Sequence, residues 1–242
     1  MRYKLTIAYD GSYFHGFQRQ KNIISVQGKL EDTLSEILKE AILIRASGRT
    51  DALVHAKGQV VDFKTSRDVP PKNLKKILNK KLYPSIYIKE VEIVDDRFHS
   101  RIHALKKEYH YFVSINEFSP FNARYMYQFH DRISLDKIKE AMEYIKGTHD
   151  FTSFSKNHTS PNMVRTIERF DLVVKDGLLE FIIIGNGFLH NMVRIIIALM
   201  LKVGEGKFPP SYVKEALDAK SRKKCPYVAP AEGLYLWKVY YE

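Results

Sequence analysis

The chain has 242 residues, 45% of them hydrophobic and 28% charged, which suits a globular protein with one large domain or two small ones. Its 39 Lys and Arg against 28 Asp and Glu give a formal net charge of +11, a balance that attracts polyanions such as RNA, DNA or an anionic membrane surface. The single cysteine, Cys225, excludes an intrachain disulfide or a cysteine-based zinc site and fits a reducing cytoplasm, and the longest apolar run, Ile195 to Leu201, is too short to span a bilayer.

The opening MRYKLTIAYDGS has too short an apolar stretch for a signal peptide. Its apolar and β-branched residues predict a strand over Tyr3 to Tyr9. DGSYFHGFQRQKN follows as a loop of turn residues and aromatics, with Arg19 near its end. From a Ser25 N-cap, the spacing of Val26, Leu30, Leu34, Ile37, Leu38 and Ala41 predicts a helix. AILIRA and GQVVDFKT read as strands on either side of SGRTDALVHA. After VPP a helix is expected with Leu74, Ile77, Leu78 and Leu82 inward and its lysines mostly elsewhere, and IYIKEVEIV alternates as a strand.

The second half repeats this mixture. KEYHYFVSI is a predicted strand, and Ser134 to Lys146 a helix burying Leu135, Ile138, Ala141, Met142 and Ile145. RTIERFDLVVKDG and LLEFIIIG form a hairpin turning at Asp176-Gly177. Asn191 to Val203 is a helix apolar almost all round, hence buried; another begins over Tyr212 to Leu217, and GLYLWKVYY closes as a strand. The pattern favours α+β with two related subdomains, one over residues 1–100 and the other over 101–242.

Four stretches carry candidate chemistry. In GRTD, Gly48 permits a tight turn and Asp51 follows Arg49 by two residues. A guanidinium beside the carboxyl keeps it ionised, so Asp51 could be a nucleophile, a general base or a metal ligand. The plainer alternative is a polar turn with a structural ion pair. In RFHSRIHALKKEYHYF, Arg97, His99, Arg101 and His103 would share one face of an extended strand, followed by Lys106, Lys107 and aromatics. That suits a phosphate track leading to a stacking platform, or else an amphipathic strand with solvated charges. Arg194 is a lone charge in a very apolar helix; it either snorkels to solvent or points into a site, to pair with Asp51 or a phosphate. DGSYFHGFQRQ, aromatic and polar with Arg19 near its end, is the fourth and alone reads as a loop; SRKKCP adds a further basic cluster, most often a solvated surface.

Taken in order, YDGSYFHGFQRQ, GRTDALVHAKGQVV, FHSRIHALKKEYHYF, DFTSF, FLHNMVR and AEGLYL resemble the TruA family of tRNA pseudouridine synthases over nearly the whole chain. The resemblance implies an α+β fold in which two ferredoxin-like halves form a mainly antiparallel sheet, flanked by helices, around a basic cleft. It implies that Asp51 is the catalytic aspartate, that Tyr109 stacks on the target base, that Arg194 meets the aspartate, and that Arg49 helps to hold a flipped nucleotide. RNA contacts are expected from Phe98, His99, Ser100, Arg101 and Ile102, from the loop holding Lys156 and His158, and from Arg19. The implied activity is cofactor-free and metal-free isomerisation of uridines in the anticodon arm of tRNA, around positions 38 to 40, by a cytoplasmic homodimer that needs no membrane. One position departs from the family: Leu53 stands where a Gly usually follows GRTDA, and a φ above zero there would strain it.

Two other functions compete. A non-catalytic binder of structured RNA would share the basic surface but has no need of Asp51, Tyr109 and Arg194 together. A metal-dependent nuclease using Asp51 and His55 would need more clustered carboxylates than the sequence supplies and would fail in a chelator.

Overall fold

Tyr3, Leu5 and Ile7 are buried along β1 (Arg2–Tyr9) while Lys4, Thr6 and Ala8 between them are partly open, the period of two that a half-covered strand requires. The computed structural model describes residues 1–156 and 162–241. Two units divide the chain: Met1–Leu105 with Tyr235–Glu242, and Lys106–Leu234.

In the first unit β1 is followed by α1 (Val26–Leu38), β2 (Arg45–Ala46), β3 (His55–Lys64), α2 (Pro71–Leu82) and β4 (Ile86–Val94). β1 pairs antiparallel with both β3 and β4, and β2 antiparallel with β3. The resulting order β4-β1-β3-β2 is that of a ferredoxin-like half. Ser25 caps α1 by accepting the Gly28 N–H at 3.1 Å, and Val26, Leu30, Leu34 and Leu38 form its buried stripe. α2 starts on Pro71, whose missing N–H costs nothing in a first turn.

The last strand, β10 (Leu234–Tyr240), falls almost wholly in this first unit and runs parallel to β3 through Tyr235 and Leu236, opposite His55 and Ala56. The sequence division had assigned it to the second half, because hydrophobic pattern predicts a strand and not its partner. β3 thus has different neighbours at its two ends: β10 at His55, β2 at Val61 and Asp62.

The second unit holds β5 (Lys106–Ser114), β6 (Tyr127–Gln128), α3 (Leu135–Glu143), β7 (Gly147–Asp150), β8 (Val164–Lys175), β9 (Leu178–Gly185), α4 (Met192–Gly204) and α5 (Tyr212–Ala219). β5, β9, β8 and β7 pair antiparallel in that order, and β6 runs parallel to β5. Tyr109, Tyr111 and Val113 lie opposite Ile183, Phe181 and Leu179, and all six are buried. α4 is buried almost throughout, as its composition requires. The class is α+β with mostly antiparallel strands.

Several local expectations differ from the structure: α1 ends at Leu38, so Ala41 lies beyond it and is exposed, and Leu135 at the start of α3 is only half-buried. Only Arg45 and Ala46 of AILIRA are strand. Ile77 is 40% exposed, since Leu74, Leu78 and Leu82 at a spacing of four already fill the buried side of α2. Residues 95–105 are turns and loop, not an extended strand, so Arg97, His99, Arg101 and His103 do not form a row. There His99 Nδ1 accepts the Arg101 N–H at 3.1 Å and the His103 N–H donates to the His99 carbonyl at 3.1 Å, which curls the chain.

Candidate active site

β2 and β3 are the arms of a hairpin, and residues 47–54 are its loop: Ser47, Gly48, Arg49, Thr50, Asp51, Ala52, Leu53 and Val54. Arg49 is exposed and Asp51 half-buried. The loop is held from below by buried polar side chains. Gln59 has 0% exposure. Its amide donates to the Gly48 carbonyl at 2.8 Å, and its oxygen accepts the Ser47 hydroxyl at 2.6 Å. Thr50 Oγ1 lies 2.7 Å from the Tyr9 hydroxyl. Burial pushes the Tyr9 phenol well above its ordinary range, and its hydrogen bonds with Thr50 and Gln59 only partly offset this, so the group stays neutral.

The aromatic loop after β1 supports the same turn. The Phe17 N–H donates to the Thr50 carbonyl at 3.0 Å. Gly16, at φ +101°, lets the backbone pass the Thr50–Ala52 peptides, where a Cβ would come within 3.3 Å of the Thr50 oxygen. Gly11 is tighter still: a Cβ there would stand 2.3 Å from the Val54 oxygen. The Gly11 N–H also donates to His55 Nδ1 at 3.0 Å. That nitrogen is therefore an acceptor, and its 3.3 Å approach to Asp10 Oδ1 is not an ion pair of a protonated Nδ1. The buried His55 ring stacks on Tyr235 at 4.6 Å. His55 is a brace at the start of β3, and among the described residues no cluster of three His, Cys, Asp or Glu side chains could hold a metal ion.

Within the loop the Val54 N–H donates to the Asp51 carbonyl at 3.3 Å, closing a turn around Ala52 and Leu53. Leu53 has φ +66°. It occupies the left-handed region, at about 1–2 kcal/mol for an L-residue, so the turn keeps the conformation in which a side chain is strained.

The loop of Phe98 to Ile102 is tied to the same hairpin. Asp62 is fully buried, and its carboxylate accepts from Arg2 Nη1 at 2.5 Å, Arg45 Nε at 3.0 Å and the Ser100 N–H at 2.9 Å. Burial alone would raise its pKa, but hydrogen bonds from Arg45, Ser100 and Arg2 outweigh that and hold it below the usual carboxylate range. Arg45, one residue before Ala46 and Ser47, also donates to the Phe98 carbonyl at 2.7 Å. Ser100 is 0% exposed and gives its hydroxyl to the Arg45 carbonyl at 3.0 Å, so it holds the loop and offers no side chain to RNA. Phe98 and His99 are half-buried, Phe98 against Tyr241 at 5.3 Å, while Arg101 and Ile102 are exposed. Arg19 binds Glu31 and Asp32 in the second turn of α1 and braces the aromatic loop there.

In the second unit Tyr109 lies on β5 with its ring edge-on to Phe188 at 5.0 Å, 8% exposed. Phe188 belongs to FLHNMVR, so the structure joins that motif to KEYHYF. Arg194, half-buried near the start of α4, donates from Nε to the Ala229 carbonyl at 2.7 Å, and the Ala229 N–H returns to the Arg194 carbonyl at 3.0 Å. Lys156 is exposed, and its N–H donates to the His190 carbonyl at 3.1 Å. His158 lies outside the described residues. The residues that sequence reading missed are the braces Tyr9, Arg45, Gln59 and Asp62. Their only signal was a polar residue inside an apolar strand, as in GQVVDF.

The structure thus sets half-buried Asp51 on a buttressed hairpin turn in a strongly basic α+β chain. A family model described as tRNA pseudouridine synthase matches residues 5–101 and 141–242. The tRNA pseudouridine synthase A of Geobacillus sp. (strain WCH70) is 46% identical over 244 residues, spanning 100% of this chain and 98% of the relative. That of Bacillus subtilis (strain 168) is 44% identical over 246 residues, spanning 100% of both, and that of Thermosipho africanus (strain TCF52B) is 41% identical over 240, spanning 98% of both. The chain belongs to the tRNA pseudouridine synthase family and is an isomerase.

Proposed function

We propose that the chain converts uridines of the tRNA anticodon arm, around positions 38 to 40, to pseudouridine, with Asp51 as the reacting carboxylate. The observation that carries this is the construction around Asp51. Its loop is fixed by Gln59, Tyr9, Gly11 and Gly16, yet Asp51 itself is only half-buried, as a residue that must meet a substrate has to be. Isomerisation breaks the N1–C1′ bond and forms a C5–C1′ bond; C5 gives up its proton and N1 gains one. No redox step or donor group is needed, so a carboxylate acting as nucleophile or base is sufficient chemistry and no cofactor is called for.

A stacked uridine must first leave its neighbours, at about a few kcal/mol. On this reading Arg49 would meet the displaced backbone, Tyr109 would replace lost stacking, and Arg194 would supply a cation to the RNA. Arg101 and Ile102 on the surface loop, and Lys156 and His158, would extend the contact with RNA. The protein would act in the cytoplasm as a homodimer, one tRNA touching both subunits. Among the described residues no helix is long and apolar enough to cross a membrane.

The test is incubation of unmodified tRNA with the wild type and with Asp51→Asn, followed by chemical mapping of pseudouridine. The wild type should modify the anticodon arm; the variant should bind tRNA and make none. Turnover by the variant, free of deamidation, would remove Asp51 from its role.

A further inference from the structure

Leu53 combines two costs that a free protein gains little from bearing. Its backbone sits at φ +66°, the conformation of a third turn position that calls for Gly or Asn. Its side chain is 46% exposed, so burial offsets little of that. Nor can the backbone relax downward. A Cβ on Gly11 would stand 2.7 Å from the Leu53 carbonyl carbon and 2.3 Å from the Val54 oxygen, which shows how closely the first loop lies beneath the turn. The Val54 N–H closes the turn on the Asp51 carbonyl at 3.3 Å. An apolar side chain is thereby fixed in solvent two residues from the reacting carboxylate, and strain of this kind at an active site points to a use in the bound state.

On the pseudouridine synthase reading above, we propose that Leu53 is an RNA-contacting residue whose side chain packs against the base or ribose next to the uridine that Asp51 acts on. Apolar side chains serve as wedges where bases are unstacked, because an exposed base face is itself poorly hydrated surface. Exposed Arg49 on the other side of Asp51 offers charge to the backbone; Leu53 offers the complementary apolar contact. A contact of this kind is made before and during the reaction alike, so its loss falls mainly on KM.

The experiment compares wild type with Leu53→Ala, Leu53→Gly and Leu53→Met on unmodified tRNA, reading kcat, KM and thermal midpoint. Leu53→Ala keeps an L-residue at positive φ and removes the wedge; Leu53→Gly removes both wedge and strain. KM should rise by about fivefold or more in both, from the loss of buried methyl and methylene groups. The rise in KM should exceed any fall in kcat for Leu53→Ala, and Leu53→Met should keep the wild-type KM. The thermal midpoint of Leu53→Gly should hold or rise by up to about 4 °C, showing that its poorer KM is not a folding defect. Wild-type KM in both Ala and Gly would overturn the proposal. So would a change confined to Gly, which would assign the effect to turn geometry. If the wild type itself makes no pseudouridine in tRNA, the underlying reading falls; if it does and the Leu53 series is flat, only this inference falls.

Discussion

The Gln59 side-chain amide donates to the Gly48 carbonyl at 2.8 Å from a position fully shielded from water, one residue beyond Gly58 on β3. Its oxygen also takes the Ser47 hydroxyl and the Val60 N–H, so one side chain fixes the entry to the Asp51 loop. Replacing it by Leu removes partners from polar groups on three residues, Gly48, Ser47 and Val60. Gln59→Leu should lose about 2–4 kcal/mol in urea unfolding and lower kcat as the loop loosens. Adding Ser47→Ala should recover part of the stability, because one orphaned hydroxyl disappears. Stability and kcat both at wild-type level would show that the loop is held by other means.

Gly11 tests the same support from the other side. Since an added Cβ would overlap the Val54 carbonyl, Gly11→Ala forces the turn outward. Overpacking of this sort costs about 1–3 kcal/mol. The larger effect should be on rate: a displacement of about an ångström at a reacting group can cost up to about 100-fold in kcat. tRNA affinity, measured by filter binding, should change far less. An unaltered kcat with lowered stability would separate the first loop from catalysis.

Asp62 supplies a pH dependence with a definite sign. Its folded pKa is depressed, so its contribution to stability is fully present above the unfolded value, about 3.9, and is lost as pH falls through the lower folded value. Asp62→Asn, which leaves Arg2 and Arg45 facing an amide, should cost about 3–5 kcal/mol near neutrality. The gap between the two urea midpoints should narrow below about pH 4, because the wild-type carboxylate is then being protonated. A constant gap down to the lowest pH at which the wild type folds would contradict the assignment. The surface loop carrying Arg101 should loosen in the same variant, since Asp62 also holds the Ser100 N–H.

Helices were legible where one apolar stripe meets one capping side chain, as with Ser25 and Leu30, Leu34 and Leu38 in α1. The hairpin of β8 and β9 was legible because Asp176 and Gly177 both take positive φ between two apolar runs. The strand reading of residues 97–103 failed because alternation alone does not make a strand. A side-chain acceptor, His99 Nδ1, and a buried carboxylate from a distant strand, Asp62, claim the N–H groups that a sheet would need. β2, β6 and β7 span two to four residues, too few for any period to declare itself. At the site, the family resemblance marked Leu53 as a position where positive φ would be strained, but whether the turn keeps that φ was not legible in the sequence. The four braces were not, because Tyr9, Arg45, Gln59 and Asp62 acquire their meaning only when β1, β2 and β3 pair.

Tyr109 allows the base-stacking role to be separated from a chemical one. Its ring meets Phe188 edge-on at 5.0 Å and is only 8% exposed, so a base can stack on it only after neighbouring groups move aside. Tyr109→Phe keeps the ring and drops the hydroxyl; Tyr109→Leu drops the aromatic face as well. If the ring stacks on the displaced uracil, Phe should bind tRNA nearly as well as Tyr, while Leu should lose about 1–3 kcal/mol of affinity. If the hydroxyl moves a proton at C5, Phe should bind normally and turn over slowly. Single-turnover kinetics at saturating enzyme reads binding and chemistry apart. Leu also withdraws the edge contact to Phe188, so urea unfolding of each variant must accompany the kinetics, and only loss of affinity beyond loss of folded protein counts as stacking. Should Leu match the wild type in affinity and rate, Tyr109 is an ordinary core residue of β5.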